Sequence, residues 1–443
     1  MVELPSYRYQ SSLLLERENV LDDVDGFGTF LDELRAHPHK TPHFLRFVAL
    51  VELIHDSLDS TIRPRLKIIG SVPDVEDASD ALAKIKDRIN ILYNFLYSVF
   101  RGSQVPRELY ELVDLFLRDY RSKPGYVIHV ADEIQTASFS DFLQTYKFQL
   151  IYPEFWSRVK DTRFYFIQIT KKISRTDRTL DWSLVLHEVG HVIDTERSIV
   201  DNYIPSPTYL EALKIVESDV RLLRLPSWIV RAAKVKLLAS EYLADCLATQ
   251  TFGGIFGWRF LKEFLRMKDE FETPVTHPTP RRRLRRIALQ LRNNLHLRTV
   301  SDAITREISH RMGTMRNPVE PSIDALPAIL RSARRLTRNK LTLQRVRSEL
   351  TRKLGQQPLN FDQLISQLQL DLVRGRPIIL HPAILFLIYM HDFGKSDHPS
   401  AAEATLFTNA SRELGIEPDV LQELVQQLLA DCVRLYGVSR TFT

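Results

Sequence analysis

The sequence predicts an α+β protein, mostly helical, in which a small sheet leads into metal-bearing helices between helical flanks. Three observations carry this. Long stretches repeat apolar residues at spacings of three and four. Two short stretches, Tyr126 to Val130 and Arg163 to Thr170, are aromatic and β-branched, as strands are. Between them and the next helical stretch, Leu184 to Asp194 reads LVLHEVGHVID and sets His187, Glu188 and His191 in the order H-E-x-x-H.

Composition bounds the rest. A chain of 443 residues can form two or three domains with a sizeable core. Only Cys246 and Cys432 are present, which excludes a disulfide framework and a cysteine metal cluster. A metal would therefore be held by His and carboxylates. No apolar run reaches the roughly 18 to 20 residues of a membrane span, and the longest, Pro377 to Met390, is interrupted by His381 and Pro382. The start, MVELPSYRYQ, has no basic segment followed by an apolar one, so a cytoplasmic protein is expected. The net charge is +5, and the excess is concentrated between Arg281 and Lys353, where basic residues outnumber acidic ones by about four to one. Nucleic acid or an acidic protein is the partner such a stretch would take; solvated helix faces are the plain alternative.

Taken in order, residues 1–125 form a helical N-terminal region. Phe27 to Leu58 and Ala78 to Tyr120 carry the helical spacing, with breaks expected near Pro64, Pro73 and Pro106. His37, His39, His43 and His55 are scattered there without metal-ligand spacing. A support or lid is the role that fits. Residues 126–293 form the core. Its second strand, RFYFIQIT, enters the H-E-x-x-H helix with Thr179 or Asp181 as N-cap, and as a sheet edge it could pair with an extended peptide across the metal. Residues 294–443 are again helical, with breaks at Asn317-Pro318, Gly355 to Pro358 and Arg374 to Pro377.

At about 100° per residue, His187 and His191 lie on one helix face, roughly 40° apart. Trp182, Val185, Leu186, Val189, Val192 and Ile193 form the apolar back. Two imidazoles that grip one zinc ion, with Glu188 beside them to take a proton from its water, are what a zinc hydrolase needs. An amphipathic helix with two solvent-facing histidines is the plain alternative. The third ligand is sought on the helix Ala232 to Thr251, which ends at Gly253-Gly254. There Glu241 and Asp245 are four apart beside the small residues Ala244 and Ala248. Close approach of the two helices lets Glu241 complete a His2Glu site while Asp245 receives the N–H of a ligating histidine. Two exposed acids on an Ala-rich helix would be the alternative.

HEVGH, then EYLAD, then THPTPRRRLRRI from Thr276 resemble the gluzincin metallopeptidases of the CaaX prenyl protease and membrane heat-shock protease type. The resemblance covers roughly Tyr165 to Ile287, and it implies a zincin-like core. It implies that His187, His191 and Glu241 bind Zn2+, that Glu188 is the base, and that Asp245 stands behind a ligand. His277 and Arg283 match the family's downstream histidine and arginine, which implies that they hold the oxyanion or brace the site. Members of that family lie among membrane spans that this sequence does not show, so the likeness concerns the catalytic core rather than prenylated or membrane substrates.

The expected activity is hydrolysis of a peptide bond in a protein substrate, by water that zinc acidifies and Glu188 deprotonates. Two rival readings remain. One is a non-catalytic regulatory or nucleic-acid-binding protein on the same scaffold. The other rests on LFLIYMHDFGK, where His391 and Asp392 resemble the H-D-x-G-K signature of HD-type phosphohydrolases and would make a second metal site. His381 is near for the earlier histidine that family needs, His310 has no further support, and Asp431 could be its later acid.

Overall fold

The computed structural model describes residues 4–336 except 39–40, 70–74, 121, 175–180, 205–226, 253–255, 258, 262, 264–276, 293–297 and 313–321. Among them the chain is mostly helical with one small sheet, an α+β arrangement. Its contacts divide it into two compact units, the first of residues 1–104 and 124–169, the second of residues 105–123 and 170–443. His391 and Asp392, and the basic residues from Arg338 to Lys353, lie outside the described residues.

The first unit begins with α1 (Leu4–Ala36), α2 (Pro42–Ile69) and α3 (Val75–Gly102). Val20, Val24, Phe27, Leu31 and Leu34 repeat at three and four residues along α1, and all are buried against the matching stripe of α3 from Leu82 to Val99. Phe27 meets Tyr93 edge-on with ring centroids 5.4 Å apart. The expected break at Pro64 does not occur, since α2 runs through it. Ile54, Leu58, Ile62 and Leu66 stay in phase across the proline and are buried, so packing outweighs the roughly 3 kcal/mol that an interior proline costs. The break comes earlier, at His37 and Pro38, between α1 and α2.

The sheet of this unit has the order β1 (Gly125–Ala131), β3 (Phe164–Thr170), β2 (Gln135–Ser138). Strand β2 runs antiparallel to β3, with Thr136 opposite Ile167 and Ser138 opposite Tyr165. The RFYFIQIT stretch is therefore the central strand, and the expectation of a peptide-pairing edge is overturned, because both of its sides are taken by neighbours. Short helices α5 (Phe139–Thr145), α6 (Phe148–Ile151) and α7 (Pro153–Val159) link β2 to β3, and Ser138 caps α5 by accepting the Asp141 N–H.

His129 of β1 is 3% exposed, and its Nε2 has no hydrogen-bond partner among the described residues. Burial pushes its pKa down to about 4. A histidine depressed in the fold costs nothing above its unfolded pKa near 6.5, and it costs stability as pH falls from there toward 4, where only the unfolded chain takes the proton. The wild type is expected to lose about 2 kcal/mol more than His129→Leu between pH 8 and pH 5 in urea unfolding. Parallel profiles would refute this.

The second unit holds α4 (Arg107–Asp119), α8 (Trp182–Arg197), α9 (Ser227–Phe252), α10 (Pro280–Arg292), α11 (Arg298–Met312) and α12 (Leu326–Leu336). Helix α8 is packed between α4 and α9, and α9 also meets α10 and α12. The apolar back of α8, from Trp182 through Ile193, is fully buried. No described helix is long and apolar enough to cross a membrane.

Candidate metal centre

Helix α8 starts at Asp181, which stands at the N-cap but makes no side-chain cap bond; its carboxylate faces the Arg259 Nε at 3.4 Å. Trp182 fixes the first turn instead, by donating its indole N–H to the Ile173 carbonyl at 2.9 Å. Helix α9 spans Ser227–Phe252; the glycine pair at 253–254, where the sequence predicts its end, lies outside the described residues. The two helices touch where their side chains are smallest. A Cβ built on Gly190 would stand 2.8 Å from the Ala244 Cα, a distance no side chain tolerates. The glycine of HEVGH and the alanine of EYLAD thus set the helix separation that lets donor groups from both converge.

His187, His191 and Glu241 offer ligand atoms that all lie within 4.8 Å of one another, and this group could hold a metal ion. Glu241 Oε2 is 3.3 Å from His187 Nε2, and its Oε1 is 3.3 Å from His191 Nε2. One carboxylate oxygen thus faces each imidazole, and donors from both helices could reach a single ion. Glu241 is 7% exposed, and its Oε2 accepts no hydrogen bond of good geometry although Arg283 Nη1 lies 3.0 Å away. A buried carboxylate set between two imidazoles and a guanidinium draws positive charge to itself, as a cation site must.

Asp245 stands behind the first histidine, its Oδ1 3.0 Å from His187 Nδ1. A carboxylate there keeps the ring proton on Nδ1 and turns Nε2 toward Glu241. Arg283 locks Asp245 with a two-pronged bond, Nε to Oδ2 and Nη2 to Oδ1, both 2.8 Å. Its guanidinium also lies over the Phe260 ring at 4.5 Å. His277 reaches the site from the α10 side, with Nε2 3.2 Å from Glu241 Oε1, and keeps about half of its side chain in solvent. Glu188 is buried on α8, where its charge helps to hold the proton on Arg283.

The electrostatics follow from crowding these groups out of water. Burial pushes Glu241 up, but Arg283 and the two histidines outweigh it and hold its carboxyl well below the usual range. Asp245 is lowered against burial by Arg283 and His187. For His187, burial and Arg283 push down, yet Asp245 and Glu241 prevail and hold it up to about 9. The site attracts positive charge to the edge between His187 and Glu241.

Of the arginines from Arg281 to Arg286, only Arg283 is buried; Arg285 and Arg286 are exposed, and Arg286 stacks over Tyr242 at 4.5 Å. Two residues that spacing did not single out stand behind His191. Ser240 Oγ is 3.1 Å from His191 Nδ1, and the same hydroxyl donates to Asp194 Oδ2 at 2.7 Å. Their signals were present, an acid three residues after the second histidine and a hydroxyl just before Glu241. Comparison with protein-family models, with curated proteins and with solved structures finds no match to this chain.

Proposed function

We propose that this chain is a zinc-dependent metallopeptidase with a zincin-like core of the gluzincin type, and that it hydrolyses peptide bonds of a protein substrate. The observation that carries the proposal is the convergence of His187, His191 and Glu241 from two helices, with Asp245 bonded to the far nitrogen of His187. His187, His191 and Glu241 would hold the ion. When bound, zinc supplies the charge that acidifies a water and polarises a carbonyl.

The remaining work belongs to the protein. Glu188 accepts the proton of the attacking water and passes it to the departing amine. Asp245 and Arg283 hold His187 in one tautomer and orientation. His277, half in solvent and 3.2 Å from Glu241, would donate from its ring to developing negative charge on a substrate carbonyl.

The first test is elemental analysis of the purified protein beside Glu241→Ala. The wild type is expected to carry about one zinc per chain and the variant to lose it. A wild type without zinc, even after resupply, would refute the proposal.

A further inference from the structure

We infer that Ser240 and Asp194 form a brace that fixes the tautomer and aim of His191, although neither residue is a ligand. The inference deepens the metal-centre reading and rests on it. A histidine that binds a cation through Nε2 must carry its proton on Nδ1, and something must accept that proton. For His187 the acceptor is Asp245. His191 has no carboxylate on its Nδ1; it has the Ser240 hydroxyl at 3.1 Å.

A hydroxyl can donate once and accept twice, so its direction has to be settled by its other neighbour. That neighbour is Asp194 Oδ2, 2.7 Å from the same Oγ. The hydroxyl donates to that oxygen, so the Ser240 proton points to Asp194 and the lone pairs of Oγ face His191. The imidazole must then donate from Nδ1, which frees Nε2 toward Glu241, 3.3 Å away.

Asp194 is itself held. Its Oδ1 accepts the Val200 N–H at 2.9 Å, across the turn that leaves α8 through Ser198 in the left-handed conformation, φ 48°. Lys236 of α9 reaches back to Asp201 of that turn at 2.5 Å. The turn after α8 therefore fixes the carboxylate, the carboxylate orients the hydroxyl, and the hydroxyl orients the ring. Ser240 precedes Glu241 on α9, so one helix turn delivers both the third ligand and the group that aims the second.

The test uses the full chain labelled with 15N-histidine, at pH 8, and compares wild type, Ser240→Ala, Ser240→Thr and Asp194→Asn. Two quantities are read: the imidazole nitrogen shifts of His191, which report its tautomer, and zinc affinity by competition with a chelator. The wild type is expected to show His191 protonated on Nδ1. Ser240→Ala should lose that preference and bind zinc about 10–100-fold more weakly, the range found when such outer partners are removed. Ser240→Thr keeps the hydroxyl and should recover affinity to within about threefold of wild type, which a packing role alone would not give, since threonine adds a methyl group. Asp194→Asn should fall between, and it supplies the comparison should the alanine variant fold poorly. Wild-type His191 protonated on Nε2, or a Ser240→Ala affinity within about twofold of wild type, would overturn the brace. A wild type that takes up no zinc yet keeps His191 protonated on Nδ1 would overturn the metal reading and leave the brace standing.

Discussion

Glu188→Gln is expected to keep a full complement of metal and to lose peptide cleavage by about 10²–10⁴-fold. The amide has the shape of the carboxylate but cannot accept the proton of an attacking water. Glu188 is not among the grouped ligand atoms, so the metal should stay. His187→Ala, in contrast, should lose metal and cleavage together. Metal analysis and a peptide-cleavage assay on the same preparations separate the two results, and a fully active Glu188→Gln would sink the mechanism. The comparison also sorts the rival readings. A regulatory protein on this scaffold would cleave nothing in the wild type and would show salt-sensitive binding to DNA or RNA. An HD-type phosphohydrolase would release phosphate in a manner abolished by His391→Ala and indifferent to Glu188.

The largest loss of stability is expected at Arg283. Its guanidinium is 4% exposed and is the cation that faces both Asp245 and Glu241, themselves 2% and 7% exposed. Arg283→Leu keeps much of the volume but removes the guanidinium paired with two buried carboxylates, at a cost of about 3–5 kcal/mol. Arg283→Lys should recover little of this, because a single ammonium cannot make the two parallel bonds to Asp245 while also reaching Glu241. Urea unfolding of the metal-free variants would measure the loss. A change below about 1 kcal/mol would mean that water reaches the carboxylates and that the arginine is dispensable to the fold.

Much of the centre was legible because helices repeat. Residues four apart share a face wherever the helix is placed, so His187 with His191, and Glu241 with Asp245, could be paired from spacing alone. The small residues Ala244 and Ala248 could be read as permission for close approach, and Ala244 packs against Gly190 of the facing helix. What lacks such a rule was not legible. The neighbours of a strand are chosen by packing, so the sequence leaves open whether RFYFIQIT is an edge, and it is the middle of the sheet. Strand β2, with sequence QTAS, has almost no β-branched or aromatic signature and owes its pairing to β3. Pro64 read as a break because local preference speaks against it, and the buried stripe on either side decides the matter. Ser240 and Asp194 are ordinary residues on helices until a third side chain, His191, is set between them and the site.

The burial of Glu188, Glu241 and Asp245 around Arg283 also sets a rule of valence. With the imidazoles neutral, as metal ligands are, three carboxylates against one guanidinium leave two formal negative charges. Salt screens such an interior poorly, since mobile ions cannot enter between the groups. A monovalent ion would leave the pocket one charge short, and a trivalent one would carry it past neutrality. Sodium and potassium, however abundant, are therefore weak competitors here on electrostatic grounds. An ion held by this group would be selected by charge first, and only afterwards, through the imidazoles, by affinity for nitrogen.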